Sequence, residues 1–185
     1  MKKMIVGAIV GGIIIFAWQF LTWGPLNLHK AQQQYTPKQD SILAYLNTQF
    51  SEDGGYMMPT SPAGASSKEM ETEWKASEGK PWAQLVYHKS MPGMNQMYMN
   101  MGRSLLIDIL VVWLLCWLLT KITAPSFGTI FMGSLGTGLI VFFNIPYTMH
   151  IWYGSYDLTA HFVDALVCWG VTGIWLGWWL RRVKK

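Results

Sequence analysis

Asp157, His161, Asp164 and Cys168 are spaced by four, three and four residues. Residues three and four apart share a face of a helix, so this spacing draws one polar stripe. Carried on, the stripe reaches Trp175 and Trp179. The residues around it are apolar enough to cross a membrane, where an ionisable group costs several kcal/mol unless it faces protein or water. The stripe is therefore expected to face the interior of a helix bundle or a partner. Asp108 interrupts another apolar run, and His29, Asn144 and His150 fall near the ends of others. Measured along their helices, His29, Asp108, His150, Asp157, His161 and Asp164 reach one layer near the same membrane surface. Arg103, just above that layer, is placed to pair with Asp108 or Asp157. The first expectation is a hydrogen-bonded structural network, because buried polar groups are generally paired. Imidazole and carboxylate ligands also suit a divalent transition metal, and the same groups could carry a proton or ion path. Histidines near two helix ends could also ligate haem axially, but no haem-specific spacing is present.

A second constellation is His88-Lys-Ser-Met91-Pro-Gly-Met94-Asn-Gln-Met97-Tyr-Met99-Asn-Met101. Thioether sulfur is a soft ligand that favours Cu(I). The run resembles the extracytoplasmic methionine motifs of copper transporters and copper chaperones over these residues alone. That resemblance implies a copper site from His88, Met91, Met94, Met97, Met99 and Met101. The competing reading is a flexible methionine surface packed on headgroups or a partner. Cys116 and Cys168 have no basic sequence neighbour and read as packing thiols. No HExxH, GxSxG, phosphate-cradling loop or kinase-like signature occurs, so an enzyme is not expected. The glycines from Gly133 to Gly138 lie in an apolar span, without the strand that a dinucleotide site needs.

These residues must be held by membrane helices. The chain has 185 residues, 51% hydrophobic and 13% charged, against about 25% charged in soluble domains. That balance excludes an ordinary soluble domain, a disordered tail and a coiled-coil rod. Eleven tryptophans and eight tyrosines suit the interfacial belts of a bilayer. A span needs about 20 apolar residues. Four runs qualify: Met4 to Trp23, Ser104 to Ile122, Phe127 to Tyr147 and Leu158 to Leu180. The expected fold is an all-α membrane protein with four transmembrane helices and a small extracytoplasmic segment between the first two. Short links join the last three, which predicts antiparallel neighbours. Lys2 and Lys3 precede the first run, as in a signal peptide. The run is too long for such a leader, however, and no small-x-small site follows it. Gly7 with Gly11 and Gly173 with Gly177 are GxxxG pairs, read first as packing within one bundle and otherwise as docking to another subunit.

Lysine and arginine set the orientation. With the N-terminus inside, the cytoplasmic side carries Lys2, Lys3, Lys121, Arg181, Arg182, Lys184 and Lys185 with no acid. The opposite side is near neutral. Both termini are expected in the cytoplasm, residues 24–102 outside it, and the basic pI needs no nucleic-acid partner. The domains expected are 1–23 as first helix, 24–102 as a cap and 103–185 as a three-helix bundle with a basic tail. Within the cap, helices are predicted over Lys38 to Phe50 and Ser67 to Ala76, the latter with a Ser66–Glu69 capping box. Short strands are predicted over Tyr56 to Met58 and Trp82 to His88.

The first span ends in Trp23-Gly-Pro-Leu26-Asn-Leu-His29. With the polar segment and three close spans that follow, this layout resembles a group of small, uncharacterised bacterial four-span inner-membrane proteins. The resemblance implies a bacterial inner-membrane location and carries no activity. The leading expectation is a non-catalytic accessory or assembly subunit of a larger membrane complex. The alternatives are a copper-handling protein and an oligomeric transporter or channel lined by Asp108 and Asp164.

Overall fold

The computed structural model describes residues 1 to 181. Arg182, Lys184 and Lys185 of the expected basic tail lie outside the described residues. The chain is mostly helical and divides into two compact units, Tyr35–Pro92 and Met1–Gln34 together with Gly93 onward.

The larger unit holds four apolar spans long enough to cross a membrane, so the chain reads as a multi-pass membrane protein. They are α1 (Lys2–Trp23), α4 (Met94–Leu119), α5 (Phe127–Phe142) with its continuation, and α7 (Leu158–Arg181). Contacts run α4 on α1, α1 on α7 and α7 on α5, whereas α4 and α5 touch little. The short turn between those two was expected to make them close neighbours. Instead α1 enters the packing order between α4 and α7. Ile15, Val112, Cys116, Cys168 and Leu176 lie in the core, and both cysteines are free and buried.

Small residues explain why α1 sits so close to its neighbours. A Cβ on Gly12 would come within 2.7 Å of the Ile109 backbone, and one on Gly11 within 2.7 Å of the Val112 side chain. Lipid supplies no hydrophobic drive between helices, so close backbone approach and dispersion take its place. Gly173 faces Ser134 and Phe131, and Gly177 faces the Phe127 ring. Both GxxxG pairs thus pack inside one unit.

Two span boundaries differ from expectation. The second membrane helix begins at Met94 rather than near Ser104, because Met94–Arg103 holds no proline, only Gly102 among its residues is a poor helix former, and Gly93 can turn into it. Most of the methionine run is therefore helical. The third span does not stop at Tyr147. Pro146 has no N–H and would clash with the preceding turn of an α-helix, and here the backbone widens into a π turn over Phe143–Tyr147. The helix resumes as α6 (Thr148–Tyr153). Gly154 ends it in the left-handed region at φ 63°, where a residue without Cβ is unstrained. The whole span is Phe127–Tyr153.

The smaller unit carries α2 (Gln39–Gln49), β1 (Gly54–Met58), α3 (Ser67–Ser77) and β2 (Ala83–Tyr87). The strands pair antiparallel with Gly54 opposite Tyr87. Its small apolar cluster has Phe50 stacked on Tyr56 at 3.9 Å and buried Tyr87 beside it. The Tyr87 hydroxyl donates to Asn47 at 2.9 Å. The expected capping box forms: Glu69 N–H donates to the Ser66 hydroxyl, and Ser66 N–H donates to the Glu69 carboxylate. The Ser66 hydroxyl, which also donates to the Glu69 carboxylate, and then the Ser66 N–H hold that carboxyl below its usual range.

Candidate functional site

The polar stripe of α7 faces α1 along its length. Trp179 Nε1 donates to the Lys3 carbonyl at 2.9 Å, and Trp175 Nε1 to the Gly7 carbonyl at 3.2 Å. Further along, Trp18 Nε1 donates to Asp164 Oδ1 at 2.9 Å. The stripe ends at a cluster built around His29.

His29 reaches this cluster because the chain folds back after α1. Leu26 N–H donates to the Leu21 carbonyl and Leu28 N–H to the Thr22 carbonyl. Asn27 takes a positive φ of 46° between them, a conformation that asparagine tolerates better than most residues. The return brings the imidazole flat against the Trp23 indole, with centroids 3.9 Å apart and planes 4° from parallel. His29 is 1% exposed although it belongs to a loop.

Its two ring nitrogens meet two carboxylates of α7 and its leading turn. Nδ1 lies 3.0 Å from Asp157 Oδ2, and Nε2 lies 3.0 Å from Asp164 Oδ2. Both contacts are hydrogen bonds when His29 carries both ring protons. Asp157 Oδ2 also meets His161 Nε2 at 3.1 Å. The result is a chain running His161, Asp157, His29, Asp164, Trp18. It ties the loop after α1 to the first two turns of α7. Asp157 Oδ1 is buried without a hydrogen-bond partner among the described residues. Donor atoms from His29, Asp157 and His161 all lie within 4.8 Å of one another, close enough to share a transition metal.

The expected layer is thus brought together in part. His29, Asp157, His161 and Asp164 form the cluster, but Asp108 and His150 do not join it. Asp108 is buried on α4 and accepts from Gln19 Nε2 at 3.3 Å. His150 bonds locally, with Nδ1 donating to the Ser155 carbonyl at 2.8 Å. The π turn and α6 keep it within its own connection. Asn144 is exposed. Arg103 is exposed and forms no ion pair with Asp108 or Asp157 among the described residues. A neutral amide and two imidazoles take the places expected for its guanidinium.

The methionine run falls across the two units. In the smaller one, His88 Nδ1 lies 3.4 Å from Asp53 Oδ2, and Met91 is almost fully exposed. The Lys89 backbone N–H, and then His88, hold the Asp53 carboxyl below its usual range. In the larger unit Met94, Met97 and Met101 follow a three-and-four spacing along α4, while Met99 falls on another face. Met97 and Met101 line a cavity shared with Asp108 and Asp164.

Trp18, Gln19 and Trp23 complete these sites and were not singled out as partners in the sequence. The one available signal was the Trp23-to-His29 spacing, which a tight return converts into a ring stack. No family model matches the chain, and neither a curated protein nor a solved structure does.

Proposed function

We propose that the chain is a non-catalytic accessory or assembly subunit of a larger complex in a bacterial cytoplasmic membrane. Both termini are cytoplasmic in this reading, and the segment between α1 and α4 is extracytoplasmic. One observation carries it. His29, Asp157, His161 and Asp164 bond to one another and to Trp18, so these groups serve to fasten α1 to α7. Protein–protein interaction through the membrane helices and the smaller unit is then the function left to the chain. The test is purification in mild detergent with native mass measurement. A stable stoichiometric complex with other membrane subunits is expected, and a solitary monomer or a plain homo-oligomer would overturn the proposal.

A second reading, metal handling, is favoured by the three converging donors of His29, Asp157 and His161 and by the unpartnered Asp157 Oδ1. The set is nitrogen and oxygen, which suits a divalent transition ion. Cu(I) would turn instead to the thioethers of Met94, Met97 and Met101. Elemental analysis of the purified chain separates the two metals.

A further inference from the structure

Where α4 and α5 part, the larger unit holds a cavity of about 810 Å³. Sites that take drug-sized molecules span about 300–1,000 Å³. Four helices wall it, and its lining is mostly apolar, with Trp23, Met97, Phe142 and Trp169 among its residues. Phe20 and Val141 line it and are also exposed on the surface of the unit. The cavity is therefore continuous with the surface of the unit.

Asp108, only 7% exposed, is part of the wall. Its Oδ1 accepts from the neutral Gln19 amide, while Oδ2 is buried and has no hydrogen-bond partner among the described residues. The other ionisable groups of the lining are committed elsewhere. Asp164 accepts from Trp18 and contacts His29, and His161 contacts Asp157. Among the described residues, no lysine or arginine lines the cavity. A buried carboxylate without a cation is costly, and an acyl chain has nothing to offer it. Aromatic faces around such a carboxylate add their own attraction for positive charge.

We propose that this cavity binds a lipophilic cation, an amine or onium group carried on an apolar body, with Asp108 as its counter-charge. A neutral hydroxyl would satisfy one oxygen and leave the charge uncompensated, so a cation is the better match. The binding does not depend on how the His29 cluster is used.

Tetraphenylphosphonium and tetraphenylborate have the same shape and opposite charge. Saturable binding of each to the full chain in detergent, read by tryptophan fluorescence, tests the idea. The phosphonium should bind at least about tenfold more tightly than the borate, the factor expected of one desolvated charge contact. Asp108→Asn should lower its affinity by a similar factor, and Asp108→Glu should restore most of it. Equal binding of the two probes, uptake without saturation, or an unchanged Asp108→Asn protein would each overturn the proposal. Should the asparagine variant not fold, the probe pair on the unaltered chain decides by itself.

Discussion

At the scale of single residues, the account turns on how His29 shares its protons. Asp164 accepts from Trp18 through one oxygen and meets His29 Nε2 with the other. Asp164→Asn can keep both contacts. Its carbonyl still accepts from Trp18, and its NH2 can donate to Nε2 once His29 holds a proton on Nδ1 alone, directed at Asp157. Asp164→Leu cannot, and strands both an indole N–H and an imidazole nitrogen. The leucine variant should lose about 1–3 kcal/mol, the cost of leaving buried polar groups unpaired. The asparagine variant should stay close to the parent in thermal unfolding. A stable asparagine variant that no longer supports its complex would instead show that the carboxylate itself is needed. Metal binding has its own residue-level test. If the nitrogen and oxygen donors hold a divalent ion, His161→Ala should abolish its uptake, while Met94, Met97 and Met101 changed together to leucine should leave it intact. Leucine keeps the volume and removes only the sulfur. Loss of the metal in the triple variant would return the site to the methionines.

At the scale of elements, the spans and both short strands of the smaller unit were legible because they follow hydrophobic length and alternation. The stripe Asp157, His161, Asp164, Cys168, Trp175 and Trp179 was legible too, since one helix fixes its own faces. The helix that it would face could not be read that way. Short links between the last three spans suggest neighbours in chain order, yet α7 also lies against α1, from the far end of the sequence. The π turn was not read from the sequence: Pro146 lies beside the expected end of the third span, and the backbone absorbs it by one widened turn. His29 looked like a residue near a span end, and only the Asn27 return takes it inside. The α1–α4 contact depends on Gly12, where any side chain meets the Ile109 backbone. Gly12→Leu should therefore push the two helices apart and cost about 1–3 kcal/mol, the range for overpacked cores. Gly136→Leu, at a glycine whose added Cβ would meet open space, should leave the unfolding temperature nearly unchanged. Equal effects at the two positions would contradict this view of the packing.

At the scale of the whole molecule, two claims concern the path of the chain. The first is orientation, proposed from the lysine and arginine asymmetry. With Cys116 and Cys168 replaced by serine, a cysteine at Ser66 should react with an impermeant reagent added to intact cells. A cysteine at Ala124 should not, and the reverse pattern would invert the topology. The second and central claim is that the polar cluster is a structural fastening between the two ends of the chain. Residues 128 and 135 positions apart from His29 bind it, so the fastening joins segments far apart in the sequence. A double-mutant cycle on His29 and Asp164 measures this directly. Thermal unfolding of His29→Ala, Asp164→Leu and the pair together should show coupling of about 0.5–3 kcal/mol, as for residues in one hydrogen-bonded network. Costs that simply add, with the double variant losing the sum of the two single losses, would contradict it.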